Sequence, residues 1–107
     1  MYRAGVKMTL RHFTIFVAVA DSLNMTEAAG KLFISQSAVS QAISEMEKHY
    51  GVRLFERFSK KLHLTQAGQK LLSYARHICN MSSEAEAAMK SLQENPVIRV
   101  GASVTIG

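Results

Sequence analysis

The sequence predicts a mainly α-helical protein with one small β-hairpin and one long helix near its C-terminal end. Three observations carry that expectation. Apolar residues recur at helical steps of three and four through residues 10–50. A short stretch with apolar ends and a charged middle, VRLFERFSKKLHLT, follows Gly51. From Thr65 to Asn95 a helical pattern then runs unbroken until Pro96 stops it.

Thr9 is placed to cap a first helix, in which Leu10, Phe13, Val17 and Ala20 fall on one face. The segment DSLNMT collects turn-forming side chains, and Thr26 is the expected N-cap of a second helix, TEAAGKLF. That helix offers Ala28, Ala29, Leu32 and Phe33 to a core, and its small residues allow another helix close approach. After a brief turn at Ile34, Ser35 is expected to cap a third helix that buries Val39, Ile43, Met46 and Tyr50. Gly51 stands where a left-handed C-terminal cap belongs. The VRLFERFSKKLHLT stretch reads as two strands joined at a basic tip, although it lacks the Asn-Gly or Asp-Gly pair that would identify the turn.

Thr65 can cap the long helix, a rod of about 45 Å. Leu71, Ala75, Ile78, Ala85, Met89 and Leu92, with the polar Ser82 between them, repeat at steps of four and three. This is a heptad seam, which needs a partner helix. The chain contains no second long helix, so self-association through this seam is expected. The tail, VIRVGASVTIG, alternates like the first strand of a sheet and has no partner in the sequence, which suggests a second domain cut short.

Charge narrows the function. The 107 residues carry a net +5, distributed unevenly. Residues 1–80 hold eleven Lys and Arg against five Asp and Glu, whereas residues 81–107 hold two against three. From Arg53 to Arg76 six basic residues face only Glu56. Such a patch suits a polyanion or an acidic surface. Cys79 is the sole cysteine, which excludes an intrachain disulfide and a cysteine-based zinc site. The four histidines show no metal-ligand spacing. No nucleophile motif, glycine-rich phosphate loop or carboxylate pair is visible, so no enzyme and no cofactor are expected in this chain. No apolar run approaches membrane-spanning length, and Arg11 and His12 interrupt the first apolar stretch as no signal peptide would allow. A cytoplasmic protein with no membrane partner is the expectation.

The third helix is unusual in its polar face. Six of the ten residues in SQSAVSQAIS are Ser or Gln and none is charged. Ser37, Ser40, Gln41, Ser44 and Lys48 share a face opposite Val39, Ile43 and Met46, and Gln36 projects from the first turn. Two short helices joined by a tight turn suggest a helix-turn-helix, whose second helix docks an apolar face on its own domain and offers a polar face to base edges. Ser and Gln both donate and accept, and Gln can bond adenine through two atoms. A surface helix that merely happens to be Ser-rich fits these ten residues about as well. The shift to charged residues only at Glu45, Glu47 and Lys48, and the basic hairpin that follows, favour the groove.

From Met8 to about His77 the chain resembles the DNA-binding domain of the LysR-type transcriptional regulators. The likeness lies in FVAVAD, TEAAGKLFISQSAVSQAISEMEK, GVRLFERF and LTQAGQKLL, in that order and spacing. The tail, IRVGASVTIG, is similar to the opening strand of that family's effector-binding domain. The resemblance implies a winged helix-turn-helix with a small two-stranded wing over residues 1–64, a linker helix for dimerisation over 65–95, and the start of a truncated effector-binding domain over 96–107. It implies promoter DNA as partner, a homodimer through the linker helix, extendable to a tetramer at full length, and a small-molecule effector for the missing domain. Family base-reading positions fall on Gln36, Ser37, Ser40 and Gln41. Phosphate-holding positions fall on Thr26, Ser35, Arg53 and Arg57, and the wing residue that enters the minor groove falls on Lys60 or Lys61. Arg57 could instead pair with Glu56 or cover the base of the wing. The chain departs from the common pattern at Ser37 (often proline), Gln41 (often arginine), Phe58 (often small or polar) and the wing lysines (often arginine). The competing expectation is a helical homodimeric interaction module that does not read DNA sequence.

Overall fold

The computed structural model describes residues 7–94. The expected strand at 96–107, the Pro96 stop and the first six residues lie outside the described residues. The elements follow in the order α1 (Leu10–Ser22), α2 (Met25–Leu32), α3 (Gln36–Tyr50), β1 (Phe55–Phe58), β2 (Lys61–Leu64) and α4 (Gln66–Glu94). This is a winged helix-turn-helix with a long C-terminal helix.

Helix ends follow side-chain chemistry. The Thr9 hydroxyl accepts the His12 backbone N–H, and the His12 ring accepts the Thr9 N–H in return, which makes a capping box with histidine in the usual Glu or Gln role. Ser35 caps α3 through the Ala38 N–H at 3.1 Å, and Thr65 caps α4 through the Gly68 N–H at 2.9 Å. The second helix corrects the expectation. Its cap is Asn24, whose side chain accepts from Glu27 N at 2.9 Å, and Thr26 lies within the first turn. Asn24 and Thr26 are both competent caps, and the earlier one lets Met25 join the helix and pack, half-buried, against the core.

Phe33 is a second correction. It was expected in the core but is 94% exposed, because it ends α2 in the left-handed region at φ 57°. Phe33 N bonds Gly30 O and Ile34 N bonds Ala29 O, the paired bonds of a Schellman cap. That reversal swings Phe33 outward and brings Ile34 against the core instead.

Phe16, Val19, Val39, Met46 and Leu54 are fully buried at the centre, with Ala28, Ala29 and Ile43 around them. Tyr50, expected inside, closes the edge half-buried. The strands pair antiparallel with Phe55 opposite Leu64 and Phe58 opposite Lys61. Phe55, Leu54 and Leu62 tie the hairpin to the helices, and the Phe55 and Phe16 rings lie 5.5 Å apart. Ser59 and Lys60 form the two-residue turn with φ of 53° and 61°. Two positive φ values are what a type I′ turn demands, here without glycine or asparagine.

The long helix divides its apolar residues between two faces. Ala75 is completely buried and Leu71 and Leu72 pack on the core. Asp21 pairs with Arg76 at 2.6 Å and Thr14 meets Cys79 at 3.8 Å, so α1 runs along this face. Ala75 is therefore internal packing and not an exposed seam position. Tyr74, Ile78, Met81, Met89 and Leu92 are the large apolar side chains that α4 leaves exposed.

Candidate nucleic-acid interface

The wing stands beside α3 because one carboxylate fastens them. Glu47, near the end of α3, accepts the backbone N–H groups of Leu54 at 2.8 Å and Phe55 at 3.3 Å. Sequence reading took Glu47 for a surface charge, since nothing local marks it as the acceptor for a strand seven residues ahead. Arg53 Nε lies 3.8 Å from the same carboxylate, with the side chain 71% exposed.

A cleft of about 530 Å³ opens between the first turns of α2 and α3 and the hairpin. Thr26, Gln36, Arg57, Lys60 and Lys61 all line it, together with Asn24 and His63, and no carboxylate does. Arg57 forms no ion pair with Glu56 among the described residues, which leaves its charge to the cleft. A neighbouring hollow is lined by Ser40, Ser44, Arg53 and Arg57, and by the Glu47 carboxylate. The first turns of α2 and α3 both reach the cleft, and helix N-termini carry free N–H groups and a partial positive charge. Phe58, half in solvent, stacks on His63 with centroids 3.9 Å apart and planes 11° from parallel, bracing the hairpin beside its turn.

Gln41 is set apart from this cleft. It lies on the α1 side of α3, with Arg11, His12, Ala38 and Glu45 around a groove of about 230 Å³. Its amide Nε2 is 3.4 Å from Glu45 Oε2, and Glu45 Oε1 is 2.8 Å from His12 Nε2. The His12 hydrogen bond holds the Glu45 carboxyl below its ordinary value, opposed by burial and assisted by Gln41. Ser37 is exposed on the first turn, its hydroxyl 3.2 Å from that of Ser35. All ten residues expected to meet DNA are exposed. Asn24, His12, Glu45 and Glu47 support them and were not singled out from sequence. Of these, only Asn24, a cap-forming residue three places before Glu27, left a readable local signal.

Among the described residues no helix is long and apolar enough to cross a membrane. No group of three His, Cys, Asp or Glu comes together there as a metal site requires.

Known proteins share this fold. The family profile described as "Bacterial regulatory helix-turn-helix protein, lysR family" matches residues 10–69. A probable RuBisCO transcriptional regulator of Thalassiosira pseudonana is 38% identical over 101 residues, covering 92% of this chain and 33% of that protein. The chain thus spans about a third of the length of such relatives. Among solved structures, the CbnR_DBD–DNA complex matches with a TM-score of 0.72 and 31% identity, covering 80% of this chain and 99% of that one. The BenM_DBD/catB site 1 DNA complex matches with a TM-score of 0.75 and 32% identity, covering 80% and 97%.

Proposed function

The chain belongs to the lysR family of bacterial regulatory helix-turn-helix proteins, and from that premise we propose that it is the sequence-reading, double-stranded-DNA-binding region of a transcription regulator. Helix α3 enters the major groove with Gln36, Ser37, Ser40 and Gln41 toward base edges. Thr26, Ser35, Arg53 and Arg57 hold phosphates, and Lys60 or Lys61 at the tip of the wing enters the adjacent minor groove. The observation that carries this reading is the carboxylate-free cleft in which Thr26, Gln36, Arg57, Lys60 and Lys61 meet.

The active unit is a homodimer formed on the exposed face of α4. Ile78, Ala85, Met89 and Leu92 stay in the seam, with Leu71, half-buried against the core, at its edge, and Tyr74 and Met81, exposed on that face, take the places first given to Ala75 and Ser82. The protein is not an enzyme and acts in the cytoplasm. Effector binding is assigned to sequence beyond the linker helix.

Selection of bound duplexes from a random pool tests the reading. A two-fold-related site should be enriched. On that site Gln36→Ala should cost about 1–3 kcal/mol and relax preference at one base pair. Lys60→Ala should weaken specific and random duplexes alike and lower the salt slope by about one. No enrichment, or two variants that behave alike on both kinds of duplex, would remove the division of labour and favour an interaction module.

A further inference from the structure

Gln41 does not present a free amide to solvent. It ends a chain of hydrogen bonds that starts at the N-terminus of α1. The Thr9 backbone N–H donates to His12 Nδ1 at 3.2 Å. With Nδ1 accepting, the ring hydrogen sits on Nε2, which donates to Glu45 Oε1 at 2.8 Å. The His12 side chain is 15% exposed and fixed by its cap, so Glu45 is held by a neighbour from another helix. The second carboxylate oxygen of Glu45 faces the Gln41 amide nitrogen at 3.4 Å. A carboxylate only accepts, so the side of Gln41 turned toward Glu45 must be its NH₂.

We propose that Glu45 is a specificity-determining positioning residue: anchored by His12, it draws the Gln41 amide nitrogen inward and leaves the Gln41 carbonyl oxygen facing the groove. A carbonyl aimed at the major groove accepts from an exocyclic amine, adenine N6 or cytosine N4. Guanine offers two acceptors, O6 and N7, so Gln41 could meet it only by turning its nitrogen outward and abandoning Glu45. This position therefore selects an amine-bearing base and rejects guanine. The inference rests on the major-groove reading of α3 proposed above.

Binding of the full chain to a duplex library with every base at every site position provides the test. Gln41→Ala locates the relevant base pair as the one whose preference flattens. At that pair the wild type should favour adenine or cytosine over guanine by about tenfold. Glu45→Gln keeps a carbonyl for His12 but offers N–H to Gln41, turning the Gln41 amide around, and preference should swing toward guanine. Glu45→Ala frees Gln41 and should narrow the preference. Affinity for random duplexes and the melting temperature report folding, and neither can reverse a preference at one base pair. Wild-type preference persisting in both Glu45 variants would overturn the proposal. So would a Gln41→Ala profile unchanged at every position while the wild type still selects a site, an outcome that leaves DNA reading intact. A wild type that enriches nothing removes both.

Discussion

Gly68 shows how little freedom a single position has where the wing meets the long helix. A β-carbon there would run into the Leu54 carbonyl oxygen and the Leu64 side chain. The carbonyl belongs to backbone that already accepts from Thr65 N at 3.0 Å, so it cannot move aside cheaply. Gly68→Ala should destabilise the fold by about 1–3 kcal/mol, read by chemical denaturation; unchanged stability would mean the joint is looser than its contacts imply. Residues of this kind differ in how plainly sequence announces them. Thr9, Ser35, Gly51 and Thr65 act through neighbours one turn away, and their roles were legible. Glu47 and Glu45 act on groups brought near only by folding, and on a helical wheel they are indistinguishable from solvated charges.

Three helices end the same way. Leu23, Phe33 and Gly51 each take the left-handed conformation and return a backbone N–H to the preceding turn. Gly51 was readable because glycine reaches that region without strain; leucine and phenylalanine give no such signal, which is why Phe33 was expected inside. The hairpin poses the same difficulty: strand positions were legible from their apolar ends, but a turn built on Ser59 and Lys60 follows from pairing register and not from turn-forming residues. The strain at Phe33 is removable. Its side chain makes no core contact at 94% exposure, and Phe33→Gly keeps both cap hydrogen bonds. The substitution should stabilise the fold by about 1 kcal/mol, raising the thermal midpoint by roughly 4–8 °C. A midpoint that falls would show the exposed ring to be held by contacts within the fold.

At the scale of the whole molecule, α4 serves two masters, its own core and the proposed partner. The heptad pattern was legible, but a period of three and four cannot say which of two adjacent stripes faces inward; α1 decides it by covering Ala75 and Cys79. The stripes therefore answer differently to mutation. Ala75→Leu overfills a closed contact and should cost about 1–3 kcal/mol of folding stability. Ile78→Glu with Leu92→Glu should leave the fold intact and yield monomers in sedimentation; persistent dimers would put the interface elsewhere. The Thr65 hydroxyl, which accepts from Gly68 N while donating to the Arg53 carbonyl at 2.6 Å, acquires another meaning in such a dimer. Together with α1 it clamps the head to the first half of a long lever. A bend of about 5° just past Cys79, where the cover of α1 ends, sweeps the far end of the remaining roughly 22 Å by about 2 Å. In the proposed dimer the spacing of the two heads would follow the direction of the free half of each rod, because α1 holds the other half fixed against the core.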